Sequence, residues 1–146
     1  VIDWVDIALT EREVADGCSA LRNGACRREG VENTLTTAIL QALQQLDDDT
    51  EIVTFSDFDQ DGDGMIDAIT FVHSGYGAEW GGTDGYGQDS SNRIWSHKGV
   101  LWQYTSTGGG GWEYDPFVSS DNVSVERYHI SPALWGLSGS EIGRIG

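Results

Sequence analysis

The chain predicts an α/β fold: a twisted, mainly parallel sheet with one helix packed on a face of it. Three stretches carry that expectation. Between Asn33 and Leu46, the residues Leu35, Ala38, Ile39, Ala42, Leu43 and Leu46 keep the i, i+3, i+4, i+7 spacing of a single buried helical stripe. Between Met65 and Val72, an apolar run of Met65, Ile66, Ala68, Ile69, Phe71 and Val72 is broken only by Asp67 and Thr70. That is how a strand buried on both faces reads. From Val123 to Ile130, Val123 and Val125 alternate with polar residues, with Tyr128 and Ile130 after them, as in a half-exposed strand.

The remaining elements follow in chain order. Val1 to Ile7, with Trp4 among Val and Ile, reads as a strand or the end of one. Thr10-Glu11-Arg12-Glu13 has capping-box spacing, and Val14, Cys18 and Leu21 then share a helical face, so a short helix is expected to stop at Asn23-Gly24. Asn33 is a natural N-cap for the long helix. Asp47-Asp48-Asp49 is unfavourable at a helix C-terminus and marks its end. Gly75 to Asn92 is rich in Gly, Tyr, Asp and Ser, a long surface loop. Val100 to Tyr104 is a second short apolar segment, Gly108 to Gly111 a hairpin tip or insertion, and Ser131-Pro132 the end of the last strand. No repeat or linker divides the 146 residues.

Composition narrows the partners. There are 24 acidic and 8 basic residues, a formal charge of -16, and Lys98 is the only lysine. Such a surface repels nucleic acid and anionic membranes. It suits a secreted, calcium-loving or salt-adapted protein. Six tryptophans argue against disorder, and no apolar run is long enough to span a membrane. Met65 is the only methionine, so a processed product or fragment is expected. Cys18 and Cys26 have no histidine near them in sequence and make a poor zinc site. A local disulfide is the expectation; two free thiols in an intracellular protein are the alternative.

The chemistry concentrates in Phe55 to His73, F-S-D-F-D-Q-D-G-D-G-M-I-D-A-I-T-F-V-H. Asp59, Asp61 and Asp63 stand at alternate positions, Gly64 follows at the sixth place of the loop, and Asp67 is the ninth. Close unpaired carboxylates repel by about 4 kcal/mol per pair at a surface-like dielectric. A hard cation removes that repulsion. The expected Ca2+ ligands are Asp59, Asp61, Asp63, Asp67 and the Met65 carbonyl, with Asp57 as an added or outer ligand. The twelfth position is Thr70 rather than a bidentate Glu, so this is not a standard EF-hand. The plain alternative is an acidic surface turn.

No nucleophile elbow, phosphate-binding loop or Rossmann fingerprint occurs. His73, His97 and His129 lie too far apart for the i, i+4 pair of a helical zinc site, and singly each reads as a structural or surface histidine.

The ordered series F-S-D-F-D-Q-D-G-D-G-M-I-D, F-V-H-S-G-Y-G-A-E, I-W-S-H-K, V-E-R-Y-H-I-S-P and E-I-G-R-I-G resembles the secreted zinc metallopeptidases of the immune inhibitor A family. The resemblance covers Val31 to Gly146. It implies an α+β, zincin-like domain, of which residues 1–146 are the N-terminal part of a single, truncated catalytic domain. It also implies Ca2+ in this chain, Zn2+ in the complete domain, and a protein or peptide substrate. In that family a His-Glu-x-x-His motif follows shortly after the E-I-G segment, so the active-site helix, the zinc ligands and the glutamate base are missing from this stretch, which is not expected to hydrolyse peptides alone. Val100–Tyr104 and Val123–Ile130 are the two candidates for the edge strand that holds extended substrate. His73, Glu79 and His97 flank the expected strands beside glycines and are candidates to line or brace the cleft, Glu79 also as an extra calcium ligand. A competing reading is a calcium-dependent adhesion or carbohydrate-binding module, suggested by the acidic loop with Trp80, Trp95, Trp102 and Trp112.

Overall fold

A computed structural model describes residues 4–21, 34–49, 53–105, 111–114, 116–134 and 136, with the backbone alone for 102–105 and 111–114. They fall into two compact units. The first comprises Val1–Ala8, Gly30–Ile69 and Gly99–Tyr128; the second comprises Leu9–Glu29, Thr70–Lys98 and His129–Gly146. The fold mixes helices and strands, as α+β. Among the described residues no helix is long and apolar enough to cross a membrane.

The first unit is built on helix α2 (Thr34–Asp48), which follows helix α1 (Glu11–Ala15) in the chain. Leu35, Ala38, Ile39, Leu43 and Leu46 are buried, as the spacing requires, and Thr36 joins them, while Ala42 is only half-buried. The helix passes the expected end at Leu46 and runs to Asp48 because its terminal acids find donors. Gln44 Nε2 donates to Asp48 Oδ1 at 3.0 Å, and Asp47 accepts from Ser120 N at 2.9 and 3.0 Å. Asn33, the expected cap, lies outside the described residues. Trp4–Ile7 does not form the expected strand. Its neighbouring backbone groups are taken by helix side chains instead: Gln45 Nε2 donates to the Asp6 carbonyl at 2.9 Å, and Ala8 N donates to Gln41 Oε1 at 3.2 Å.

The core of this unit also holds Val53, Phe55, Leu101, Phe117, Val123, Val125 and Tyr128. The Phe55 and Phe117 rings are tilted, with centroids 5.7 Å apart. Two antiparallel pairs belong here: β3 (Trp102–Thr105) with β4 (Gly111–Tyr114), and β5 (Phe117–Val118) with β6 (Ser124–Val125). The first fits the expected hairpin, whose tip from Gly108 to Gly110 lies outside the described residues. The second is closed by Ser119, whose buried hydroxyl donates to the Val123 carbonyl at 2.9 Å.

In the second unit, α1 opens on the expected capping box. Glu13 N donates to Thr10 Oγ1 at 3.4 Å, and Thr10 N donates to Glu13 Oε2 at 2.8 Å. The helix is shorter than its pattern suggested, because Asp16 (φ 50°), Gly17 (φ 66°), Ser19 (φ 56°) and Ala20 (φ 60°) turn the backbone left-handed. Removing the cap by Thr10→Ala is expected to lower stability by about 0.5–2 kcal/mol. A shift of the urea midpoint reads this out, and an unmoved midpoint would show that α1 does not rely on the box.

Strand β1 (Thr70–Tyr76) pairs in parallel with β7 (Arg127–Leu134), from Thr70 opposite His129 to His73 opposite Pro132. With β2 (His97–Val100) they form a sheet of order β1-β7-β2. Two expectations change here. The apolar run from Met65 is not a doubly buried strand: Met65 and Ala68 are exposed, Met65 makes an isolated bridge to Ser124, and the strand starts at Thr70 and continues to Tyr76. Nor does Ser131-Pro132 end β7. A proline's fixed φ suits extended backbone and costs the strand only one donor, and Pro132 stands opposite His73 of β1. Along Arg127–Ile130 exposed and buried residues alternate, as expected of a half-exposed strand.

Candidate functional site

The acidic loop in the first unit is a backbone nest wrapped around Asp59. Its Oδ1 accepts from Gly62 N at 2.9 Å and Asp63 N at 3.0 Å, and its Oδ2 from Gly64 N at 3.0 Å. Gly62 (φ 73°) and Gly64 (φ 83°) take the left-handed conformations this curl demands, which is why glycine alternates with aspartate here. Asp61 Oδ1 accepts from Asp63 N at 3.3 Å, and Asp63 Oδ1 from Met65 N at 2.9 Å. Asp67 closes the loop: its N donates to the Phe58 carbonyl at 2.9 Å, and its Oδ2 accepts from Gln60 N at 3.1 Å. On the far side, Ser124 N and Oγ donate to the Gly64 carbonyl at 2.8 and 3.1 Å.

The loop thereby brings Asp59, Asp61 and Asp63 together, with one carboxylate oxygen of each within 4.8 Å of the others. Oxygens bound to one Ca2+ at about 2.4 Å stand no farther apart than about 4.8 Å, so this donor set fits a hard cation. Asp67 is outside that group and serves the loop backbone, and Asp57 sits in the preceding 3-10 turn, Phe55–Phe58.

The second unit contains a cluster that no local pattern announces. The Arg93 guanidinium joins two carboxylates. It donates to Glu11 Oε2 through Nη1 and to Asp84 Oδ2 through Nε, at 2.6 Å, with Nη2 at 2.5 Å from the same oxygen. The side chains are nearly closed off, Asp84 at 2 % exposure and Arg93 at 13 %. Asp84 Oδ1 accepts from Tyr86 N at 2.8 Å and Gln88 N at 3.1 Å, and the Arg93 guanidinium lies 5.7 Å from the Tyr76 ring centroid. His73 Nδ1 stands 3.2 Å from Glu11 Oε1.

Burial alone would push the Glu11 carboxyl up, but His73 and Arg93 more than offset it and hold it below its ordinary range. Asp84 follows the same balance, its burial outweighed by the Gln88 and Tyr86 amides and Arg93. With both folded values lowered, their stabilisation is present above the ordinary carboxylate range and is lost as pH falls through the lowered values.

The three expected cleft residues have separate partners. His73 faces Glu11. Glu79 accepts from Ser96 Oγ at 2.5 Å and Ser96 N at 3.2 Å. A ring nitrogen of His97 lies 2.6 Å from its neighbour Trp95's carbonyl. These histidines, with His129 exposed on β7, do not fit a zinc site, and among the described residues the aspartate loop is the only group of three metal-type side chains. Cys18 is disulfide-bonded, while Cys26 lies outside the described residues. Sequence reasoning missed Glu11, Asp84 and Arg93. The turn chemistry of Asp84-Gly85 was visible, but Glu11 and Arg93 are 82 residues apart.

The family model for the immune inhibitor A peptidase M6 catalytic domain matches residues 1–142, a span that takes in both the aspartate loop and the ion-paired cluster. No curated protein matches the chain.

Proposed function

Because the chain belongs to the immune inhibitor A peptidase M6 family, we propose that it is part of the catalytic domain of a secreted, calcium-stabilised zinc endopeptidase cleaving peptide bonds in proteins. The family match over residues 1–142 carries this reading. The net charge of -16 supports an extracellular setting in which calcium is plentiful.

In this reading Asp59, Asp61 and Asp63 hold Ca2+, joined by the Met65 carbonyl and Asp67, with Asp57 outside them. The ion fixes the loop that leads into β1. Zinc would activate water for attack on the peptide carbonyl, and its ligands are sought in parts of the gene product other than these residues. The reading includes a zincin-like sheet, supported by the parallel β1–β7 pair. Among the described residues β7 is the middle strand of its sheet and β2 lies at an edge, and its last residue, Val100, begins one of the two segments expected to bind substrate. Glu79 is already engaged by Ser96, which favours a bracing role over calcium ligation.

The test is the gene sequence that follows Ile142-Gly143. A His-Glu-x-x-His motif within the next few tens of residues is expected; its absence throughout the gene product would favour a calcium-dependent binding module.

A further inference from the structure

We propose that Gly77–Asn92 is a lid over Tyr76, held shut by the double ion pair of Arg93 and able to open as one body. Four observations within the second unit lead there. The segment is internally bonded: Asp84 N donates to the Gln88 carbonyl at 3.0 Å, Gly87 N to the Asp84 carbonyl at 2.9 Å, and Ser90 N to the Gly82 carbonyl at 2.9 Å. The bridge between Thr83 and Asp89 adds to this, so the segment keeps its shape when it moves.

Its apolar anchoring is slight. Ala78 is the only apolar side chain buried between Gly77 and Asn92, whereas Tyr76 and Ile94 are buried at its two ends. Segments with few buried apolar contacts are the ones that open below the global unfolding free energy.

The attachments to the unit are polar. Ser19 N donates to the Ser91 carbonyl at 3.0 Å, and Ser19 Oγ to the Ser90 carbonyl at 2.9 Å. The strongest attachment is Arg93, which ties Asp84 inside the segment to Glu11 on α1. The Glu11 carboxylate occupies the space a side chain would need at Gly75. Glycine at 75 is thus what allows the latch to seat.

The closed state also covers a group that favours opening. The Tyr76 hydroxyl is buried without a hydrogen bond, and its ring centroid lies 5.8 Å from that of Tyr86 in the segment. Opening hydrates it, while closure regains the ion pairs, so the segment has two arrangements of opposing advantage.

Amide hydrogen exchange on the chain, with acetylation of tyrosines by N-acetylimidazole read by mass spectrometry, tests this. In the wild type, amides of 78–92 are expected to exchange through openings at least about tenfold more frequent than those of α2. Glu11→Gln and Gly75→Ala, which unseat the latch by different routes, are expected to raise that opening and the modification rate of Tyr76 by a similar factor. The protection of α2 and the modification of Tyr128 should stay put. Exchange of 78–92 and α2 through one common opening in the wild type would overturn the lid, a result that needs no variant to fold. Unchanged protection of 78–92 in both folded variants would overturn the latch.

Discussion

Replacing Leu43 by alanine is expected to destabilise the chain by about 2–5 kcal/mol. Leu43 is fully buried at 0 % exposure, in the middle of the stripe that α2 turns inward. Removing its branched end leaves a cavity that the neighbouring turns of a 15-residue helix cannot collapse to fill. Ala42→Gly sits one residue away on the half-buried shoulder and loses only helix propensity, about 1 kcal/mol. Urea unfolding of both variants separates burial from propensity. Equal losses would mean that α2 is not packed through Leu43.

Withdrawing calcium is expected to have an effect of comparable size. An ion that binds only the folded chain adds roughly 2.7 kcal/mol at a hundredfold excess over its dissociation constant. Asp61→Asn gives the sharper comparison. It takes away one of three clustered charges, so the calcium-free chain should lose no stability, while the gain on adding calcium shrinks. Thermal melting with calcium and with chelator reads both. Coincident wild-type midpoints would remove calcium from the loop.

The features legible in the sequence are those set by local spacing. The stripe of α2 and the Thr10–Glu13 capping box follow from helical periodicity, and the three aspartates meet because alternate carboxylates, with left-handed glycines at 62 and 64, curl about one centre. Runs of apolar residues were less informative. Met65 and Ala68 sit in an apolar stretch yet face solvent, because the loop ahead of Thr70 follows the bonds of Ser124 and Phe58 rather than strand geometry. Pro132 reads as a strand end, yet β7 runs on past it to Leu134, because extended backbone accepts proline's φ. The Glu11–Arg93–Asp84 cluster was not legible at all. An ion pair between residues 82 apart is decided by which elements the fold brings together, and that leaves no periodic trace in either segment.

The most direct test of the peptidase reading is cleavage of an unfolded protein by the whole gene product. Internal peptide bonds should be cut, with activity abolished by a zinc chelator and restored by zinc. Activity should also decline when Asp59, Asp61 and Asp63 are replaced by asparagine together, because the loop leading into β1 would lose its ion. A well-folded, zinc-replete gene product that leaves every protein substrate intact would contradict it.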